Sequence, residues 1–213
     1  TQTFDLKSLE VIVVDNASTD RTSEVCRNFF KRRPVPHLLL EEPRLSPGRA
    51  RNTGAARASG DVLLFLDADS RLSPSTVWRV VQAYRMGIAM GIIRICPDSD
   101  DLAARMFFDL IHFGKNLFHL ACHLGYCARD LFFEVGGFDP EVFHAEDLEF
   151  FQRVKKALRR KGKPWCVIEN APIFTSTRRM TRHPFKLGYL LTLLEWAFGG
   201  YLKLKRDRYT PYR

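Results

Sequence analysis

None of the five cysteines (Cys26, Cys96, Cys122, Cys127, Cys166) stands in a C-x-x-C pair, and five is an odd number. That argues against a disulfide framework and for a reducing, cytosolic-facing compartment. No apolar h-region opens the chain, and its first residue is Thr1, so the start reads as processed or cut. Internal repeats and low-complexity linkers are lacking too. At 213 residues, 46% hydrophobic and 27% charged, the composition excludes wholesale disorder and fits one globular domain with a proper core. Long unbroken apolar runs are also missing. The most apolar stretch, Phe185–Leu204 (FKLGYLLTLLEWAFGGYLKL), is interrupted by Lys186, Glu195 and the pair Gly199–Gly200, which makes it a poor membrane span.

Acidic residues are scarce at one end only. Residues 153–213 carry 16 Lys and Arg against 3 acids, a balance of +13, whereas residues 1–152 carry 17 against 21, a balance of −4. The net charge of +9 therefore sits wholly in the C-terminal part. Such a patch suits phospholipid headgroups, a polyphosphate-bearing substrate or nucleic acid, or is simply a solvated face. Nucleic acid is disfavoured, because the cations interleave with an apolar helix rather than with a reading motif. Aromatic residues flanked by cations in the tail fit a helix lying among headgroups. Packing on the domain's own surface, or on the second subunit of a homodimer, fits it equally.

The presence of alternating short aliphatic runs and longer periodic segments predicts an α/β domain with a largely parallel sheet flanked by helices. Strands are expected at Leu9–Asp15, His37–Leu40, Asp61–Asp67, Ile88–Ile95 and Trp165–Glu169. Helices are expected at Thr19–Lys31, Ser46–Ser59, Pro74–Met86, Leu102–Leu120 and Leu148–Lys161. The chain divides into a domain over residues 1–177 and a basic, aromatic helical tail over residues 178–213.

Two of these strands end in acid, VIVVD at Asp15 and LLFLD at Asp67, and in open parallel sheets ligands bind at the carboxyl ends of strands. Asp15 is equally well explained by a turn in which Asn16 and Ser18 cap the next helix. Asp67 and Asp69, with one small residue between them at a strand exit, can face one hard cation and leave phosphate oxygens to complete its shell. Magnesium or manganese bridged to a diphosphate fits. Just upstream, SPGRARNTGAARASGD supplies Arg49, Arg51 and Arg57; Arg51 can reach the sheet edge, where a guanidinium fork matches phosphate geometry, and Arg57 is expected in solvent. Glu146–Asp147 opens a helix after the glycine- and aromatic-rich GGFDPEVFHA. A carboxylate there is either a dipole contact or a poised base. His112, His119, Cys122, His123 and Cys127 raise zinc, but the tighter paired spacing of closed zinc sites is lacking.

The order VIVVDNASTD, ARNTGAARASGDVLLFLDAD, RDLFFEVGGFDPEVFHAEDLEF resembles the glycosyltransferase family 2 enzymes, inverting sugar-nucleotide transferases of the GT-A fold, over about residues 5–162. The resemblance implies that Asp15 contacts the nucleotide base, that Arg51 lies near the nucleotide or diphosphate, and that Asp67 holds the ribose and metal region. It further implies Asp69 as ligand of Mg2+ or Mn2+, Asp147 as catalytic base and Glu146 beside it. STRRMTRH resembles the family's basic segment that closes over the diphosphate, which makes Arg178, Arg179 and His183 candidates, Arg179 toward the donor and His183 toward the metal. Family members open with a strand and helix carrying a P-x-Y-N-E type segment; here both are expected upstream of Thr1, so this chain's sheet is expected to be short of one central strand. The donor is then a nucleoside-diphosphate sugar, and the acceptor, given the tail, a lipid-linked one at the cytoplasmic face of the cell membrane, in cell-envelope polysaccharide or glycolipid synthesis. Rival readings are a nonenzymatic membrane- or polyanion-binding module and a nucleotidyltransferase of similar fold.

Overall fold

The computed structural model describes residues 2–33, 35–117, 125–142 and 146–178. After a 3-10 turn at Leu6–Ser8, strand β1 (Val11–Asn16) leads into helix α1 (Thr22–Phe30), and β2 (His37–Glu42) into α2 (Pro47–Arg57). Then come β3 (Val62–Leu64), β4 (Ser70–Leu72), α3 (Thr76–Arg85), β5 (Met90–Pro97) and α4 (Leu102–Leu117). The described part ends with β6 (Gly125–Ala128), α5 (Arg129–Glu134), α6 (Glu146–Arg160) and β7 (Cys166–Thr175). The last residues expected in the fourth helix, 118–120, and the tail beyond Arg178 lie outside the described residues.

The α/β layering is as expected, but the sheet is mixed rather than largely parallel. β1 and β2 form a parallel pair, and five strands form a second sheet in the order β3-β6-β5-β7-β4, in which only β5 and β7 run parallel. The difference comes from β4 and β6, three and four residues long, which are too short to show a period in the sequence. β6 is wholly buried between β3 and β5 and antiparallel to both. Among the described residues, β1 pairs only with β2, and β3 only with β6.

Several boundaries move for local reasons. Helix α1 begins at Thr22, where the Asp20 carboxylate accepts the Thr22 N–H at 2.9 Å in a turn that precedes the helix. Helix α2 begins as its sequence dictates, with Ser46 accepting the Arg49 N–H and Pro47 in the first turn. β3 is shorter than Asp61–Asp67: Phe65 N–H still donates to Gly125 O at 3.1 Å, but Leu66 and Asp67 have left the ladder and Leu66 is exposed. β7 is longer than Trp165–Glu169, since a register shift opposite Ile93–Ile95 lets the strand carry Pro172 without a lost ladder bond at that point.

The main core joins the strand exits to α6. Phe65, Phe132, Phe138 and Phe150 pack together, with ring centroids 4.3 Å apart for the stacked Phe138 and Phe150 and 5.0 Å for Phe65 edge-to-face with Phe138. Behind them β5 and β6 approach closely, and a Cβ on Gly91 would fall 2.4 Å from Cε1 of the buried Tyr126 ring. Gly91→Ala is therefore expected to destabilise the fold by about 1–3 kcal/mol in urea unfolding, through overpacking. Gly60→Ala, whose Cβ meets nothing closer than 3.6 Å, is expected to change stability by no more than about 0.5 kcal/mol.

Candidate active site

Strand β1 delivers Asp15 at its carboxyl end, and the next turn folds back through Ala17, whose φ is 55°. The Asp15 carboxylate accepts the Ser18 N–H at 3.1 Å and the Ser23 hydroxyl, and these bonds, Ser18 and Ser23 foremost, hold its pKa below the ordinary range. Its neighbour Asn16 does not cap α1. The Asn16 amide donates to Glu42 O at 3.1 Å and Arg44 O at 2.8 Å, and its Oδ1 accepts the Ser46 N–H at 2.9 Å, so it locks the entry to α2.

Helix α2 presents Arg51 and Asn52 toward the loop that precedes α6. Asn52 Nδ2 donates to Phe138 O and Asn52 Oδ1 accepts the Phe138 N–H, each at 2.8 Å. Gly137 makes that approach feasible: its φ is +67°, and a Cβ there would sit 2.7 Å from Asn52 Oδ1. Arg51 lies with its guanidinium carbon 5.3 Å from the Phe138 ring centroid. Its Nη2 donates to Asp67 Oδ1 at 2.8 Å and its Nη1 to Glu146 Oε1 at 2.5 Å. Both terminal nitrogens of Arg51 thus donate to carboxylates. Arg49 pairs with Glu141 at 3.1 Å, and Arg57 is exposed as expected.

Side-chain exposure falls from 47% at Asp67 to 18% at Arg51 and 11% at Glu146. Burial alone would discourage charge on Arg51, but Glu146 first, then Asp67 and Asp147, hold the guanidinium firmly protonated. Burial pushes the Glu146 carboxyl upward against the pull of Arg51. Asp147 is half-buried at the start of α6, and its carboxylate accepts the Leu148 N–H at 2.8 Å.

The other acid of the LDAD run takes a different neighbour. Asp69 O accepts the Ser176 N–H at 3.2 Å, and Asp69 Oδ2 lies 3.6 Å from Arg178 Nη2, just past the end of β7. Asp67, Arg51, Glu146 and Asp147 therefore form one cluster, and Asp69 with Arg178 follows two residues on. Arg179, His183 and His144 lie outside the described residues. Among the described residues no group of three or more His, Cys, Asp or Glu side chains is placed to hold a metal. Two hard carboxylates at a strand exit suit a divalent cation whose remaining ligands come from a phosphate and water, so Asp67 and Asp69 fit Mg2+ or Mn2+ as a pair. Of the zinc candidates, His112 instead pairs with Glu169 at 3.1 Å and Cys127 is buried in β6, with its thiol pKa pushed up by burial; His119, Cys122 and His123 lie outside the described residues.

Sequence reasoning gave Asn16 only as a helix cap and missed Asn52 and Phe138. Only their adjacency to Asp15 and Arg51, and the GGF turn, could have marked them.

Comparison with known proteins places these residues in a family. Residues 2–131 match the signature of Glycosyl transferase family 2. Over 77 residues the chain is 40% identical to Glycosyltransferase AglE of Haloferax volcanii, covering 36% of this chain and 25% of AglE. Over 96 residues it is 32% identical to Glycosyltransferase GlyA of Streptococcus pneumoniae, covering 43% of this chain and 13% of GlyA. The chain thus spans a minor part of these relatives. Among solved structures, the mannosyltransferase PcManGT of Pyrobaculum calidifontis, in complex with GDP-Man and Mn2+, superposes with a TM-score of 0.65 at 21% identity over 91% of this chain and 57% of that one. Staphylococcus aureus TarS 1-349 in complex with UDP-GlcNAc gives 0.64 at 18% identity over 83% of this chain and 52% of that one. These two likenesses support the GT-A fold. With a signature spanning more than half its length, and with its acids at the strand ends where the motifs put them, the chain belongs to glycosyl transferase family 2.

Proposed function

We propose that this chain transfers a sugar from a nucleoside-diphosphate sugar to an acceptor hydroxyl with inversion at the anomeric carbon. The observation that carries the reading is the convergence of Asp67, Glu146 and Asp147 around one half-buried arginine, with Asp69 beside the strand exit. Asp15 is assigned to the nucleotide base, Asp67 to the ribose and metal edge, and Asp69 to the cation, with Asp67, and His183 of the following segment, as further ligands. Arg178 beside Asp69, and Arg179 after it, are assigned to the departing diphosphate. Mg2+ or Mn2+ held there supplies Lewis-acid stabilisation of the leaving group. Solved relatives carrying UDP-GlcNAc, or GDP-Man with Mn2+, support the donor class and the cation.

The chain's own acids manage the proton. Asp147 accepts the acceptor's hydroxyl proton as that oxygen forms its bond to the anomeric carbon. The bond from that carbon to the diphosphate oxygen breaks, and its electron pair leaves with the nucleoside diphosphate. Nearby cationic side chains stabilise the charge that builds there. A nucleotidyltransferase would share the metal carboxylates but has no need for a base at Asp147.

A lipid-linked acceptor in envelope polysaccharide or glycolipid synthesis, met at the cytoplasmic face of a membrane, is supported by helix α4. Among the described residues no helix is long and apolar enough to cross a membrane. Yet α4 is apolar on two sides: Ala104, Phe107 and Phe108 are buried, while Leu102, Met106, Leu110 and Phe113 are exposed at helical spacing. The basic, aromatic C-terminal stretch begins beside this helix, since Thr177 N–H donates to Asp98 at 3.0 Å just before α4 starts. Together they suit an anionic lipid surface.

In nucleoside-diphosphate release assays, Asp69→Asn and EDTA are each expected to abolish donor-dependent release. Asp147→Asn is expected to lower transfer by about 10²-fold or more while donor binding, read by calorimetry, is kept; full transfer by this variant would remove Asp147 as the base. In flotation with phosphatidylglycerol vesicles, Met106→Glu combined with Phe113→Glu is expected to reduce recovery of the full chain. Unchanged recovery would take the α4 face out of the account.

A further inference from the structure

Arg51 and Asn52 are consecutive residues of α2 that grip one loop from two sides. Asn52 clamps the Phe138 backbone, and Arg51 covers the Phe138 ring while reaching past it to both Asp67 and Glu146. These two acids belong to different parts of the site. Asp67 stands at the exit of β3, and Glu146 is the first residue of α6, next to Asp147. Both terminal nitrogens of Arg51 already donate to carboxylates, so a donor phosphate would have to compete with two acids for the guanidinium. Arg51 and Glu146 are largely shielded from water, with 18% and 11% of their side chains exposed, so the pair holds its geometry.

We propose that Arg51 is a positioning residue for sugar transfer, a strut that sets the metal-side strand exit against the base-bearing start of α6, and not a ligand of the donor diphosphate. This rests on the sugar-transfer reading above. The strut acts on Asp147 through Glu146: holding the first residue of α6 holds the first turn, and with it the direction of the Asp147 carboxylate. Asn52 and Gly137 fix the Phe138 backbone beneath the guanidinium. Lysine cannot replace Arg51 here, because an ammonium is one point charge and the site needs a planar group that spans two carboxylates. At a diphosphate, by contrast, lysine is a serviceable substitute.

The test uses Arg51→Gln and Arg51→Lys in the full chain, with kinetics read as nucleoside-diphosphate release. Both variants are expected to lose about 10²-fold in kcat, the effect of misplacing a catalytic group, with donor KM within about threefold of the parent. A donor KM raised about tenfold or more with kcat kept, or full recovery of kcat in Arg51→Lys, would assign Arg51 to the diphosphate and overturn the strut. A second measurement is independent of turnover: urea unfolding of Arg51→Gln, Glu146→Gln and the double variant. Coupling is expected, with the double variant little less stable than Arg51→Gln alone. Additive losses would overturn the strut whatever the activity. Coupling in a chain that transfers no sugar from any donor would keep the strut and remove the sugar-transfer reading instead.

Discussion

A guanidinium drawn out of water needs acceptors that replace the solvent, and that constraint governs the arrangement around Arg51. Asp67 and Glu146 each hold one terminal nitrogen, and the Phe138 ring covers a face. Because the two acids come from a strand exit and a helix start more than 75 residues apart in sequence, satisfying one half-buried cation brings together two edges of the site. Removing either acid would leave a half-buried charge short of a partner.

Packing makes that arrangement stiff. Phe65, two residues before Asp67, packs edge-to-face with Phe138, and Phe138 stacks on Phe150, four residues after Glu146. The aromatic cluster therefore runs parallel to the ionic one, joining the same three segments through their apolar faces. Asn52 adds a third tie by fixing the Phe138 backbone. Close-packed rings and paired charges both resist small displacements, which is what a reaction dependent on near-attack geometry requires.

The sheet serves the site from behind. β6, buried between β3 and β5, supports β3, whose exit carries Phe65 and Asp67, and the missing side chains of Gly91 and Gly125 leave room for the Tyr126 ring and the β5 backbone. β7 brings the chain back so that Ser176 bonds to Asp69 O and Arg178 reaches its carboxylate. The basic C-terminal segment thus departs from the acidic edge of the site and from the start of α4, whose second apolar face is exposed.

Much of this was legible in the sequence, where a pattern is local. The α/β alternation, Ser46 and Pro47 opening α2, the acids at the ends of β1 and β3, and the acidic start of α6 all depend on residues a few positions apart. The family, too, followed from the order of its motifs. What the sequence could not supply is the pairing of distant segments. β4 and β6 are too short to carry a period, so the sheet's antiparallel strands, and the mixed topology they produce, emerge only from tertiary hydrogen bonding. Arg51 was legible as a cation near a sheet edge, but a lone arginine has the same chemistry whether it meets a phosphate or a carboxylate. Only the folded chain, by setting Asp67 and Glu146 on either side of it, decided which charges it faces.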